Sequence, residues 1–151
     1  MAESNTDANE EEVRSWYKAL LNTTVGEMLK LQAITGAAVE GTPVWMVPHR
    51  ILIAKLWGVG QKSSFIWTIS GDAVITDHIP GSMAVTPKDV ARHFSLKWQM
   101  DADRLLQAAA SKPMVENSEA HMKDYTARLV QSAESLYDLT CQDDIWREKT
   151  G

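Results

Sequence analysis

Two carboxylates and an imidazole fall close together in the stretch Trp67 to Ile79, WTISGDAVITDHI: Asp72, Asp77 and His78. Residues of these types suit proton transfer. One carboxylate would act as base and His78 as acid or ligand donor, at the end of a sheet where Trp67 walls a pocket. Spacing works against that chemistry, because adjacent residues of a strand point to opposite faces, and Asp77 cannot then orient His78. The pair survives only where the strand ends by Ile75 and Thr76 to His78 turns, with Asp77 bonding its own backbone. Each residue also has a structural role open to it. Asp72 suits a turn, a lone His78 is satisfied or exposed, and Asp77, between Ile75 and Ile79, is half-exposed or a buried acid that needs a partner. Trp67, Asp72, Asp77 and His78 form the candidate ligand or partner site, and no residue is assigned a catalytic role.

Elsewhere the chain lacks the spacings that carry reactions. His49, His93 and His121 do not put two ligands on one helix face, so no metal site is expected. No glycine-rich phosphate loop occurs, Ser70-Gly71-Asp72 is not a nucleophile elbow, and no cofactor is expected. Cys141 precedes Asp143 and Asp144, which oppose a thiolate, and reads as buried filler. Of the six tryptophans, Trp45, Trp57 and Trp67 belong to the strand-forming region and could wall a pocket or centre an interface. Leu96 and Met100 lie one helical turn apart and off the main apolar stripe of their segment, a candidate interface for a partner or a second copy.

The elements that position these groups read as follows. Gly71-Asp72 suits a two-residue hairpin loop. The register then sets Ser70 opposite Ala73, Trp67 opposite Thr76 and Phe65 opposite His78, with Phe65, Trp67, Ile69, Val74, Thr76 and His78 on the core face. Ile51 to Trp57, Phe65 to Ser70 and Ala73 to Ile79 predict a three-stranded antiparallel meander, with Trp45 to Val47 set apart by Pro48 as edge or loop. Upstream, Val13, Trp16, Tyr17 and Leu20 recur at helical spacing, and Thr24-Val-Gly-Glu27 has the spacing of a capping box opening a second or kinked helix that Gly36 stops. Downstream, Thr86-Pro-Lys-Asp89 supplies a cap hydroxyl, a first-turn proline and a carboxylate. Val90, Phe94, Trp98, Ala102, Leu105 and Ala109 form the stripe of that helix, and Pro113 bounds it. A last helix follows Ser118, with Met122, Tyr125, Leu129, Ala133, Leu136 and Thr140 inward. The fold class is α+β: an N-terminal helix or helix pair, the meander, and two C-terminal helices on one sheet face.

Size and charge narrow the function. The 151 residues fit one domain, expected over 10–146 between a 1–9 tail and a 147–151 tail. A net charge of -5 opposes nucleic acid and anionic membranes, which need surplus Lys and Arg. The richest apolar run, Ile51 to Ala54, is far short of the roughly 20 residues that span a bilayer. One cysteine and an acidic, polar N-terminus without an export signal point to the cytoplasm.

Trp67 to Ile79, followed by Thr86-Pro87 and Phe94-Ser-Leu-Lys-Trp98, resembles an uncharacterised bacterial family known only as a domain of unknown function. Its pattern is a tryptophan, a hydrophobic pair with Ser, Gly-Asp, then Thr-Asp-aromatic and a downstream helix with Phe and Trp. Where that family often carries Leu-Pro between Gly-Asp and Thr-Asp, this chain has Ala73-Val74-Ile75. The resemblance implies a bacterial cytoplasmic protein and supplies no catalytic residue. The expected function is a non-enzymatic protein-interaction or regulatory domain binding another protein or a second copy; the alternative is a small-molecule-binding protein or hydrolase around Asp72, Asp77 and His78.

Overall fold

The computed structural model describes residues 2–35, 38–111 and 116–146. Gly36, Pro113 and the 147–151 tail lie outside the described residues. The fold is α+β, and its elements gather into two compact units. The first holds an N-terminal helix and the sheet; the second holds two C-terminal helices together with the short segment Ala73–Ile75.

A single helix, α1 (Ala2–Lys30), opens the first unit, so its backbone takes in most of the stretch expected to be a tail. No proline interrupts these residues, and Ala and Glu favour helix. Nor does α1 break at the expected capping box. The Thr24 hydroxyl donates to the Leu20 carbonyl four residues back, at 2.8 Å, as a helix-interior threonine does, instead of capping a new start. The stop comes before Gly36. Gln32 takes the left-handed conformation at φ 58°, while its N–H donates to the Leu29 carbonyl and that of Ala33 to the Met28 carbonyl. Those two bonds are a Schellman closure with glutamine where glycine is usual.

The sheet has four antiparallel strands in chain order, not three: β1 (Val39–Val47), β2 (Ile51–Gly58), β3 (Ile66–Ser70) and β4 (Asp77–Pro80). Gly41 and Pro43 disguise β1 in the sequence. As an edge strand it tolerates a proline, and the register shifts at a bulge between Pro43 and Trp45. Pro48 falls in the turn before β2. Apart from half-buried Lys55, β2 is buried along its whole length. Met28 and Ile34 pack on Leu56 from the α1 side, joined by Leu21, Val25 and Ile66.

The link from β3 to β4 departs most from expectation. Residues Gly71 to Thr76 separate the strands, and Trp67 pairs with Ile79, Thr68 with His78 and Ile69 with Asp77. The expected two-residue loop is corrected to a longer one, and the pairing moves by three residues. An odd shift exchanges the faces of the whole strand. The cause lies in the other unit. Val74 is buried there, and the Ile75 N–H donates to the Ser132 hydroxyl at 3.1 Å, so these residues are withdrawn from the ladder.

In that second unit α2 (Pro87–Ser111) starts where the sequence predicts, with the Asp89 N–H donating to the Thr86 hydroxyl at 3.2 Å. Val90, Phe94, Trp98 and Ala102 are buried, Leu105 is half-buried, and Ala109 is exposed. Phe94 and Trp98 stack with ring centres 5.6 Å apart. α3 (Glu116–Thr140) buries Leu129, Ala133, Leu136 and Thr140 as expected, but Tyr125 is exposed and Thr126 takes the inward place. The buried Ser95 hydroxyl donates to the Ala133 carbonyl at 3.0 Å, and Lys88 pairs with Asp143 at 2.8 Å. Early α2 thus lies beside late α3 in an antiparallel pair.

Candidate functional site

Asp77 opens β4 half-buried, opposite Ile69 and on the face that also holds Trp67 and Ile79. His78 lies opposite Thr68 on the other face. The imidazole and the carboxylate are therefore split, as strand geometry dictates. Each has changed sides relative to the expected register, His78 leaving the Trp67 face and Asp77 joining it. Asp77 Oδ1 accepts the His78 backbone N–H at 2.8 Å, the local bond anticipated for a turning segment. Asp72 is exposed in the loop, two residues beyond β3. Trp67 is 1% exposed and belongs to the core. None of these four side chains lines the hollows on α1, α2 and α3.

What the sheet face does gather is a lysine among aromatic rings. Lys55 Nζ stands 4.7 Å from the Phe65 ring centre and 4.9 Å from that of Trp67. The cation sits over the negative faces of both rings, an arrangement that stabilises without an ion pair. Nearby on β1 and β2, Trp57 Nε1 donates to Glu40 Oε2 at 2.9 Å, and Lys62 Nζ lies 5.4 Å from the Trp57 ring. Lys55, Lys62 and the Trp57 indole thus each have a neighbour for their polar tips, which is how long amphipathic side chains lie along a sheet.

Exposed apolar side chains occur at several places, Leu31 and Val85 among them, and a hollow of about 420 Å³ lies on α1. Among the described residues, only on α2 do two such side chains, the predicted Leu96 and Met100, stand one turn apart beside hollows of the helix pair. Leu96 and Met100 are 59% and 53% exposed, on the side of α2 opposite its buried stripe. A hollow of about 560 Å³ runs between the helices, lined by Arg92, Ser95, Leu96, Gln99, Tyr137 and Cys141 among others. A second, of about 370 Å³, lies on the outer flank of α2, lined by His93, Leu96, Lys97, Met100, Asp101 and Arg104. Leu96 is the ridge shared by the two. Cys141 is exposed, contrary to its reading as buried filler; it falls just past the last turn of α3. Lys97 and Arg104 each approach Asp101 at 3.6 Å, so the one carboxylate serves both cations.

Residues 11–146 match the model of the family described as a domain of unknown function, DUF4826. The chain belongs to this family. The match covers both compact units, so the DUF4826 region is the whole α+β assembly and not the central motif alone. No curated protein and no solved structure matches the chain. Among the described residues, no helix of this DUF4826 member is long and apolar enough to cross a membrane. No three His, Cys, Asp or Glu side chains among them are grouped to hold a metal ion.

Tyr137, 56% exposed beside the larger hollow, escaped the sequence reading. The signal was slight: Leu136 fills the inward place at that turn, and Tyr137 lies about 100° round the helix from it. Arg92 escaped too, since one arginine on a helix reads as a solvated face.

Proposed function

We propose that this protein is a non-enzymatic protein-interaction or regulatory domain of the bacterial cytoplasm, and that the outer face of α2 is its docking surface. The exposure of Leu96 and Met100, one turn apart on a helix whose other side is core, carries this reading. Two large apolar side chains flanked by hollows and rimmed by Arg92, Lys97, Asp101 and Arg104 have the apolar centre and polar rim of a protein interface. The competing hydrolase reading draws on Asp72, Asp77 and His78 together, and the placement of Asp77 and His78 on opposite faces of β4 supports it less.

The test is a photoreactive benzophenone side chain introduced at Met100 and irradiated in producing cells. A discrete covalent adduct heavier than the monomer is expected, and it should be absent when the same group replaces exposed Gln61. Equal adduct from both positions, or none from Met100, removes the reading.

A further inference from the structure

Resting on the reading of the α2 outer face as a docking surface, we infer that its occupant is a second copy of this chain, packed α2 against α2 about a twofold axis. Charge placement is the reason. Arg92, Leu96, Met100 and Asp103 fall within roughly 80° of arc at 100° per residue, forming one strip. Arg92 precedes Leu96 by one turn, and Asp103 follows Met100 by nearly one. Both charged residues are exposed, and neither forms an ion pair with a described residue. Within one copy they cannot meet, since the rise of a helix puts them about 16 Å apart. The flanking charges differ in this respect: Lys97 and Arg104 each already have an ion-pair contact with Asp101.

Consider two such helices running antiparallel, with the twofold between Leu96 and Met100. Residues at similar distances from the axis then face each other, because the interface is isologous. Arg92 lies six residues from its midpoint and Asp103 five, a mismatch of about 1.5 Å that a long arginine side chain spans. Arg92 of each copy meets Asp103 of the other, twice, at the two ends of the strip. Leu96 of each copy meets Met100 of the other at its centre. One contact pairs Arg92 with Asp103 and covers both apolar side chains. An anionic polymer or membrane would be repelled by Asp103 and by Asp89 on the same strip. A single helix pair sits at the small end of specific interfaces, so a dissociation constant on the order of 10 µM is expected.

Sedimentation equilibrium of the full chain at about 100 µM, ten times that constant, tests the arrangement. The wild-type chain should sediment as a dimer, Arg92→Asp and Asp103→Arg each as monomers, and the double variant as a dimer again. Arg92→Lys should keep the dimer. Unchanged helical circular dichroism, expected because both positions are exposed, shows that each variant is folded. A monomeric wild type, a dimeric single reversal, or a double reversal that stays monomeric overturns the inference. The two readings fail separately: a monomer whose Met100 adduct contains a different protein keeps the docking surface and loses the second copy, whereas a monomer with no adduct loses both.

Discussion

Gly71 is the residue whose identity the backbone most requires. Its φ of +133° is one that L side chains rarely adopt, and a Cβ there would collide with the Arg50 carbonyl oxygen and press on the Ile51 backbone. Gly60, at φ +83°, has open space where a side chain would go. Replacing each with alanine separates the two causes of strain. Gly71→Ala should destabilise by roughly 3 kcal/mol, since the strained conformation and the backbone clash add. Gly60→Ala should lose only about 1 kcal/mol, the conformational cost alone. Urea unfolding midpoints measure both, and equal losses would refute the clash. The sequence marked Gly71 correctly as a turn glycine, though in too short a loop. It could not show that the close neighbour is the backbone at the start of β2, because that approach is made by strands distant in sequence.

The elements differ in how far local rules carry them. α2 starts where its cap, proline and first-turn acid say it should, because every signal lies within four residues. Thr86→Ala should lower stability by about 1 kcal/mol, read as a shift in the unfolding midpoint, whereas Thr86→Ser should keep most of it. Thr24 has an equally good local signal and no cap forms, since its hydroxyl returns to the Leu20 carbonyl inside an unbroken α1. A capping box is decisive only where the chain before it leaves the helix, and nothing before Thr24 does so. β1 fails in the opposite sense. Pro43 and Gly41 weaken its pattern, yet pairing along β2 supplies the ladder that its own propensity does not.

For the molecule as a whole, burial divides the surface that can be changed from the core that cannot. Leu96→Gln combined with Met100→Gln should shift folding stability at low protein concentration by less than about 1 kcal/mol, because both side chains are exposed and glutamine suits a helix. Phe94→Ala, on the buried side of the same helix, should lose roughly 3 to 5 kcal/mol. Urea unfolding of both variants tests the contrast. A loss beyond about 2 kcal/mol for the glutamine pair, a typical core penalty, would show that Leu96 and Met100 are part of the fold after all.

Composition and short-range pattern established the α+β class, the start of α2, its inward stripe from Val90 to Ala102, most of the inward face of α3 and the outward placement of Leu96 and Met100. These follow from a helical period that repeats within a few residues. The faces taken by Asp77 and His78 belong to another class of fact. Their alternation is local, so the split of the pair was legible; which side each takes depends on register, and register depends on how many residues the loop consumes. Here Val74 and Ile75 are held in the helical unit, the latter by Ser132, 57 positions along the chain. No window of sequence around Gly71-Asp72 contains that bond, and only the folded chain brings its two ends together.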